Sequence, residues 1–312
     1  MFIKERDDQS MNEPKKQHYV PQTYLKQFSL CSNSSYRIYV LHKYKKKIFT
    51  ANIKDTAAER HFYTVKKHQN NYIWEKYYAE NIEPMMNNVI SKIQCIVDCI
   101  LLRNDASVIT SELKTQISIT MMFQFLRGKH SRELEIKAYK NALPGVINNA
   151  RELFGPLDEK REKVLEAFKN DDDYFKLAAM EATLNIERLT KYINILLDRL
   201  FVIFKIVGDM EFVTSDNPVM FIDSSSLDAT PFKNGLLHHS TVVFFPISPK
   251  IVIAAYHPDL YLGTLLDFDG KIIFLDSKKE MKFIKMLNTK QFEQCFDQVY
   301  ARRISLLESF IE

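Results

Sequence analysis

Between Tyr72 and Arg199 apolar residues recur every three to four positions, whereas from Leu200 they alternate or run on unbroken in short bursts. This change of period constrains the fold more than any other feature, because a helical stripe and a strand face cannot exchange places. In the first part Trp74, Tyr78, Ile82, Met86, Val89, Ile93, Val97 and Ile100 make one stripe, with Pro84 inside it as a kink or a junction of two helices. A second long helix is predicted over residues 105–140, with Thr110 or Ser111 as its cap. Two or three more follow up to residue 199, punctuated by Gly155-Pro156 and by Asp171 to Asp173.

After residue 200 the stretches LFVIFKIV, EFVTSDNPVMFI, STVVFFPISP, KIVIAAYHP and KIIFL read as strands, being β-branched or aromatic and bounded by turn residues. Residues 277–312 return to a helical period. Ahead of the helical part, PQTYLKQF predicts a short helix with Pro21 in its first turn. YRIYVLHKYKKKIFTANI predicts a hairpin over residues 36–41 and 46–53. The fold class expected is α+β, a helical middle packed with a mostly antiparallel sheet and a small N-terminal β-hairpin. Residues 1–16, polar and without periodicity, are expected to be disordered. The remainder, 17–312, is expected as one compact domain: a hairpin portion 17–70, a helical portion 71–199, a sheet portion 200–276 and a closing helix 277–312.

Composition excludes several classes. Seven glycines in 312 residues, with no Gly-x-Gly-x-x-Gly, Walker-type or Gly-x-Ser-x-Gly stretch, remove the usual warrant for dinucleotide binding, P-loop chemistry and serine hydrolysis. The N-terminus carries acids and does not resemble a secretory signal, and the longest apolar runs are far short of a membrane span. A cytoplasmic protein without membrane contact is expected. The four cysteines form no Cys-x-x-Cys pair, which argues against zinc and disulfides. Residues 1–70 hold 14 Lys+Arg against 6 Asp+Glu, a net +8 within a chain of net +4. HKYKKK (His42 to Lys47) is the densest cluster, either a stripe that steers phosphates or a solvated hairpin tip.

Three groups of residues carry the chemistry. On the second long helix Leu113, Ile117, Met121 and Gln124 share one stripe, and Arg127 lies three residues further on the same face. A buried Gln and Arg need partners, either an internal carboxylate or an anionic ligand, and Arg132 adds a second guanidinium suited to carboxylates or phosphates. Asp216 and Asn217, in TSDNP at the end of an apolar run, suit a base or metal ligand and a substrate-orienting amide, or else an Asx-turn. His18 has the intrinsic pKa for acid–base work near neutrality. His238, His239 and His257 are further candidates without a zinc-binding spacing, and Glu80 or Glu83 suits a partner for Arg127 or a metal.

HYVPQTYLKQF (His18 to Phe28), FQFLRGKHSRE (Phe123 to Glu133), TSDNPV with FPISP (Phe245 to Pro249), and LNTKQ (Leu287 to Gln291) together resemble an uncharacterised, mainly bacterial family known as domain of unknown function 4238. The resemblance spans about residues 17–303. It implies that His18, Gln124, Arg127, Asp216 and Asn217 are the polar members of one pattern and converge on one pocket. On that basis the expected function is a nuclease or phosphodiesterase. His18 and Asp216 would be catalytic, Gln124, Arg127, Arg132 and Asn217 would bind substrate, and a divalent metal is left open. The partners would be nucleic acid or another phosphate-containing ligand. The alternatives are a non-catalytic module that binds or senses an anionic ligand or partner protein, and a buried network that fixes how helices meet the sheet.

Overall fold

The computed structural model describes residues 15–65, 72–100, 107–229, 235–260 and 265–311. Most of the stretch expected to lack order, residues 1–14, lies outside the described residues; Lys16, at its end, already belongs to a strand. The chain runs β1 (Lys16–His18), α1 (Gln22–Leu25), β2 (Leu30–Ser32), β3 (Ser35–His42), β4 (Lys47–Asn52) and β5 (Ala58–Arg60). The helical part follows: α2 (Ile73–Tyr77), α3 (Glu83–Cys99), α4 (Ser111–Arg127), α5 (Lys129–Phe154), α6 (Glu159–Lys169), α7 (Asp172–Thr183) and α8 (Ile186–Leu197). The remainder is β6 (Leu200–Val207), β7 (Thr214–Ser215), β8 (Met220–Asp223), β9 (Thr241–Ser248), β10 (Ile251–Tyr256), β11 (Ile272–Asp276), α9 (Met281–Gln294), β12 (Gln298–Ala301) and α10 (Ile304–Glu308). The fold is α+β, as the change of period predicts.

One sheet has the order β11-β6-β10-β9-β8, antiparallel except where β11 runs parallel to β6. Apart from the edge strand β11 its strands are buried on both faces, which is why they read as unbroken apolar runs. Phe201, Ile203, Val243, Phe245 and Ile253 face the helical body, and Val202, Phe204, Val242, Phe244 and Val252 face Ile284 and Leu287 of α9. A second sheet joins the hairpin β3–β4, β2, β12 and β7, and β1 pairs with β5 separately. The hairpin expected over 36–53 is present, with His42 opposite Lys47 and Lys46 at positive φ in the turn.

Three expected elements differ. The helix predicted over 105–140 is broken at Gly128, whose extended backbone (φ −65°, ψ 154°) ends α4 and starts α5. Ser131 Oγ donates to the Phe125 carbonyl there, satisfying one of the orphaned acceptors at the end of α4. The closing helix is interrupted by β12, whose Val299, Tyr300 and Ala301 are fully buried between β3 and β7. A strand of four residues between two helices falls within one helical stripe, so periodicity does not expose it. EFVTSDNPVMFI is two strands, β7 and β8, separated by the turn at Asp216 to Val219.

Pro84 marks neither a simple kink nor a chain break. Residues Tyr78–Ile82 form a π turn between α2 and α3, and the Glu83 amide donates to the Tyr78 carbonyl five residues back. Proline lacks the N–H that would bond the Glu80 carbonyl and its ring crowds that carbonyl, so the hydrogen-bond register widens just ahead of it. Two turns of which one is a π turn span about eight residues, and Glu75 and Glu83 are thereby brought to one face.

Candidate functional site

The Arg127 side chain lies at the C-terminal end of α4 and is 2% exposed. Its Nη2 donates to the His18 carbonyl at 2.6 Å and to Glu83 Oε1 at 3.1 Å, and its Nε donates to the Tyr63 hydroxyl at 3.0 Å. The guanidinium stands 4.4 Å from the centre of the Tyr78 ring, the contact expected of a cation on an aromatic face. Burial works against its charge, but Tyr63, Glu83 and Tyr78 outweigh that cost and hold its pKa above the ordinary value. Of the two acids considered for this role, Glu83 is the partner, while Glu80 faces out beside Lys76.

Tyr63 is fixed from several sides. Gln17 of β1 is fully buried, accepts the Tyr63 amide at 2.6 Å and donates to Thr64 Oγ1 at 3.1 Å. The Tyr63 hydroxyl donates to the His18 carbonyl at 3.2 Å. Burial pushes this phenol up to about 12 despite the neighbouring cation, so it stays a neutral donor. Gln124, one turn before Arg127, donates from Nε2 to the Tyr19 carbonyl at 3.1 Å. Arg132 serves the same loop from outside, donating to the Phe62 carbonyl at 2.9 Å with its guanidinium 3.6 Å from the Phe62 ring centre.

Two titratable groups flank the guanidinium. Glu75 is pushed up to about 7 by burial, with Arg127 pulling it down and Glu83 pushing it up. His18 is half-buried, and burial lowers its imidazole below the ordinary value while a backbone hydrogen bond at Ile53 and the Glu83 charge work the other way. Near neutral pH the imidazole is therefore neutral and about half of the Glu75 carboxyls are protonated. His18 Nε2, Glu75 Oε2, Tyr78 Oη and Arg127 Nη1 are buried atoms with no hydrogen-bond partner among the described residues, and so is Gln124 Oε1.

Asp216 and Asn217 belong to another network. Asp216 is fully buried; Oδ1 accepts the Phe296 amide at 2.8 Å, and Oδ2 accepts the Asp297 and Gln298 amides at 2.7 and 2.9 Å. Burial outweighs these three donors and raises the carboxyl to about 6. Asn217 Nδ2 donates to the Gln294 carbonyl at 3.2 Å. From α9, Gln291 Nε2 donates to Ser215 Oγ and the Asn217 carbonyl at 2.5 and 2.8 Å, and Gln294 Nε2 donates to the Val219 carbonyl at 2.8 Å. Asn288 exchanges bonds with the Val213 amide and the Glu211 carbonyl at 3.0 and 2.9 Å. The turn is thus clamped to α9 and to the chain entering β12.

The structure brings His18, Gln124 and Arg127 together, with Arg132 behind them, and holds Asp216 with Asn217 in the second network. Tyr19 joins the two, and Tyr24 of the same segment meets the strand ahead of Asp216. Asp216 is among the charges that, after burial, raise the Tyr19 phenol, and the Tyr24 hydroxyl meets Thr214 Oγ1 at 2.6 Å and the Pro246 carbonyl at 2.5 Å. Sequence reasoning missed Gln17, Tyr63, Glu75 and Tyr78, and the amide row Asn288, Gln291 and Gln294. The amide row is visible as polar residues every third position on a helix; Glu75 is not, since its place depends on the π turn.

The basic tip is divided in its uses. Lys43 Nζ donates to the Glu293 carbonyl at 2.6 Å near the end of α9, while Lys45, Lys46 and Lys47 are exposed. Among the described residues His239, His257 and Asp259 offer donor atoms within 4.8 Å of one another. The Asp259 amide donates to His257 Nδ1 at 3.2 Å, however, so that nitrogen's lone pair already has a partner. No helix among the described residues is long and apolar enough to cross a membrane.

No curated protein and no solved structure matches the chain. The family described as "Protein of unknown function (DUF4238)" matches residues 16–305, nearly the whole length, and the chain belongs to that family.

Proposed function

We propose that this chain is a phosphodiesterase, a nuclease being the fitting form, whose acid–base pair is His18 and Glu75 and whose anion clamp is Arg127. The observation that carries this reading is the set of unpartnered buried atoms, His18 Nε2, Glu75 Oε2, Tyr78 Oη and Arg127 Nη1, gathered about one guanidinium. A carboxyl titrating at about 7 and a neutral imidazole, both feeling the Arg127 charge, supply one proton donor and one acceptor at the same pH. The neutral His18 imidazole takes a proton from the attacking water as its oxygen bonds to phosphorus. The P–O bond to the leaving group breaks, and protonated Glu75 gives that oxygen its proton. Arg127 Nη1 hydrogen-bonds a non-bridging oxygen, where charge builds in the transition state. Solvent then restores both side chains.

In this reading Asp216 and Asn217 hold the Thr214–Phe221 segment in place, and the positive first 70 residues guide a polyanion toward the site. Four unpaired cysteines suit the reducing cytoplasm. A second reading, a non-catalytic holder of an anionic ligand or acidic peptide, is favoured by the depth of Arg127 and by the bonds already made from Nε and Nη2.

The test is cleavage of labelled RNA, single-stranded DNA and duplex DNA by purified protein, with Mg²⁺, Mn²⁺ and EDTA arms, alongside direct binding of the same strands. Wild type is compared with His18→Ala and Glu75→Gln, each checked for an unchanged melting temperature. Cleavage lost in both folded variants is the expected result. Binding without cleavage selects the second reading, and neither activity on any strand overturns both.

A further inference from the structure

α4 has a second face. Gln124 and Arg127 meet β1, while Met122, Phe125 and Leu126, each two positions or about 200° away around the helix, line a cavity of about 610 Å³. Leu134 of α5, Ile195 of α8 and Phe221 of β8 form further walls. The lining shares no residue with the Arg127 cluster, so the two sites stand or fall separately. Its volume lies in the range of small-molecule sites, and like them it is mainly apolar with a few polar groups at one end.

Those polar groups are few. Among the described lining residues the charged ones are Glu135, Arg188 and Lys191. Glu135 pairs with Arg188 Nη2, and Arg188 Nε reaches the Tyr192 hydroxyl at 3.4 Å. One charge is thereby cancelled, and the Lys191 ammonium remains as surplus positive charge at the edge of an apolar chamber. Arg188, Lys191 and Tyr192 also line a neighbouring recess of about 580 Å³, which Glu181 and Glu187 line as well.

We infer that this cavity binds a small amphiphile with an apolar body and a single anionic head. The body lies against α4 and Phe221, and the head meets Lys191 and Arg188. A medium-chain alkyl carboxylate has this chemistry.

The experiment measures binding of dodecanoate, dodecanol and dodecylammonium, below micelle formation, to the full chain by calorimetry. Variants are Lys191→Glu and Ala138→Trp; both positions are exposed, and Ala138 lines the cavity, so an indole there fills it without removing core packing. Dodecanoate is expected to bind one to one, tenfold or more weaker in Lys191→Glu and not detectably in Ala138→Trp, with both variants melting like wild type. Dodecylammonium binding as well as dodecanoate overturns the proposal, as does dodecanol binding equally well. Undiminished binding in both folded variants, or no binding of dodecanoate to wild type, overturns it as well.

Discussion

Glu75→Gln tests the electrostatics on which the candidate site depends. The folded-state pKa of Glu75, about 7, lies above its ordinary value of 4.5. The folded protein therefore holds this proton more tightly than the unfolded chain, and the associated stability is fully present below pH 4.5 and lost as pH rises through 7. At about 1.4 kcal/mol per pH unit the gap is worth about 3 kcal/mol. Because the carboxyl keeps contact with solvent, screening brings this to about 2 kcal/mol. Glutamine has the shape of the protonated acid and no titration.

Urea unfolding of wild type and Glu75→Gln between pH 4 and pH 8.5 should thus give nearly equal stabilities at the acid end. By pH 8.5 the wild type should be less stable than the variant by about 2 kcal/mol. His18 acts with the opposite sign. Its lowered pKa contributes stability that is present above about 6.5 and lost as pH falls, but Glu75 is not among the groups that shift it, so its effect cancels in the difference. Parallel curves across the whole range would refute a carboxyl held neutral beside Arg127. So would a variant less stable than wild type at pH 8.5.

Asp216→Ala removes the acceptor of three buried amides, each costing about 1–3 kcal/mol when left unpaired. With water entry replacing part of the loss, the expected destabilisation is about 3–6 kcal/mol by urea unfolding, and a loss under about 1 kcal/mol would show that the turn does not depend on this carboxylate. Arg127→Lys keeps the charge but loses the planar fork that reaches the His18 carbonyl, the Tyr63 hydroxyl and Glu83 together. It should cost about 2–4 kcal/mol at neutral pH, and wild-type stability would refute the tie between α4 and β1.

How much of this was legible in the sequence follows from what each residue depends on. The α+β order is visible because period 3.6 and period 2 are properties of contiguous residues. The pairing of β12 with β3 and β7 joins positions some 260 and 80 residues apart, and no local pattern reports it. Gln124 and Arg127 were found as polar residues on an apolar stripe and His18 by its intrinsic pKa and motif; in the fold Arg127 bonds the His18 carbonyl and Gln124 the Tyr19 carbonyl. Asp216 stood out for the same reason, yet its surroundings are backbone amides of residues 296–298, a partner that side-chain chemistry in the sequence does not reveal. Glu75 lies outside the expected set because its approach to Arg127 follows from the π turn ahead of Pro84.

Polarity marks both networks alike, and the number of unpartnered buried atoms separates them: one, Gln291 Oε1, among the α9 amides and four about Arg127. Around Asp216 each carboxylate oxygen has at least one donor, and α9 answers the turn amide by amide, which is the pattern of a network that fixes one conformation. Around Arg127 the buried side leaves the imidazole, carboxyl, phenol and guanidinium each with an atom unpartnered among the described residues. Leaving such atoms unpaired costs about 1–3 kcal/mol each, and here that cost is concentrated at four neighbouring positions. Under the proposed function that cost is offset by a ligand that supplies both an anionic oxygen for Arg127 and a proton path through His18 and Glu75. On that proposal a phosphodiester with its attacking water would supply both, whereas a plain anion would satisfy Arg127 and leave His18 and Glu75 without an exchange to perform.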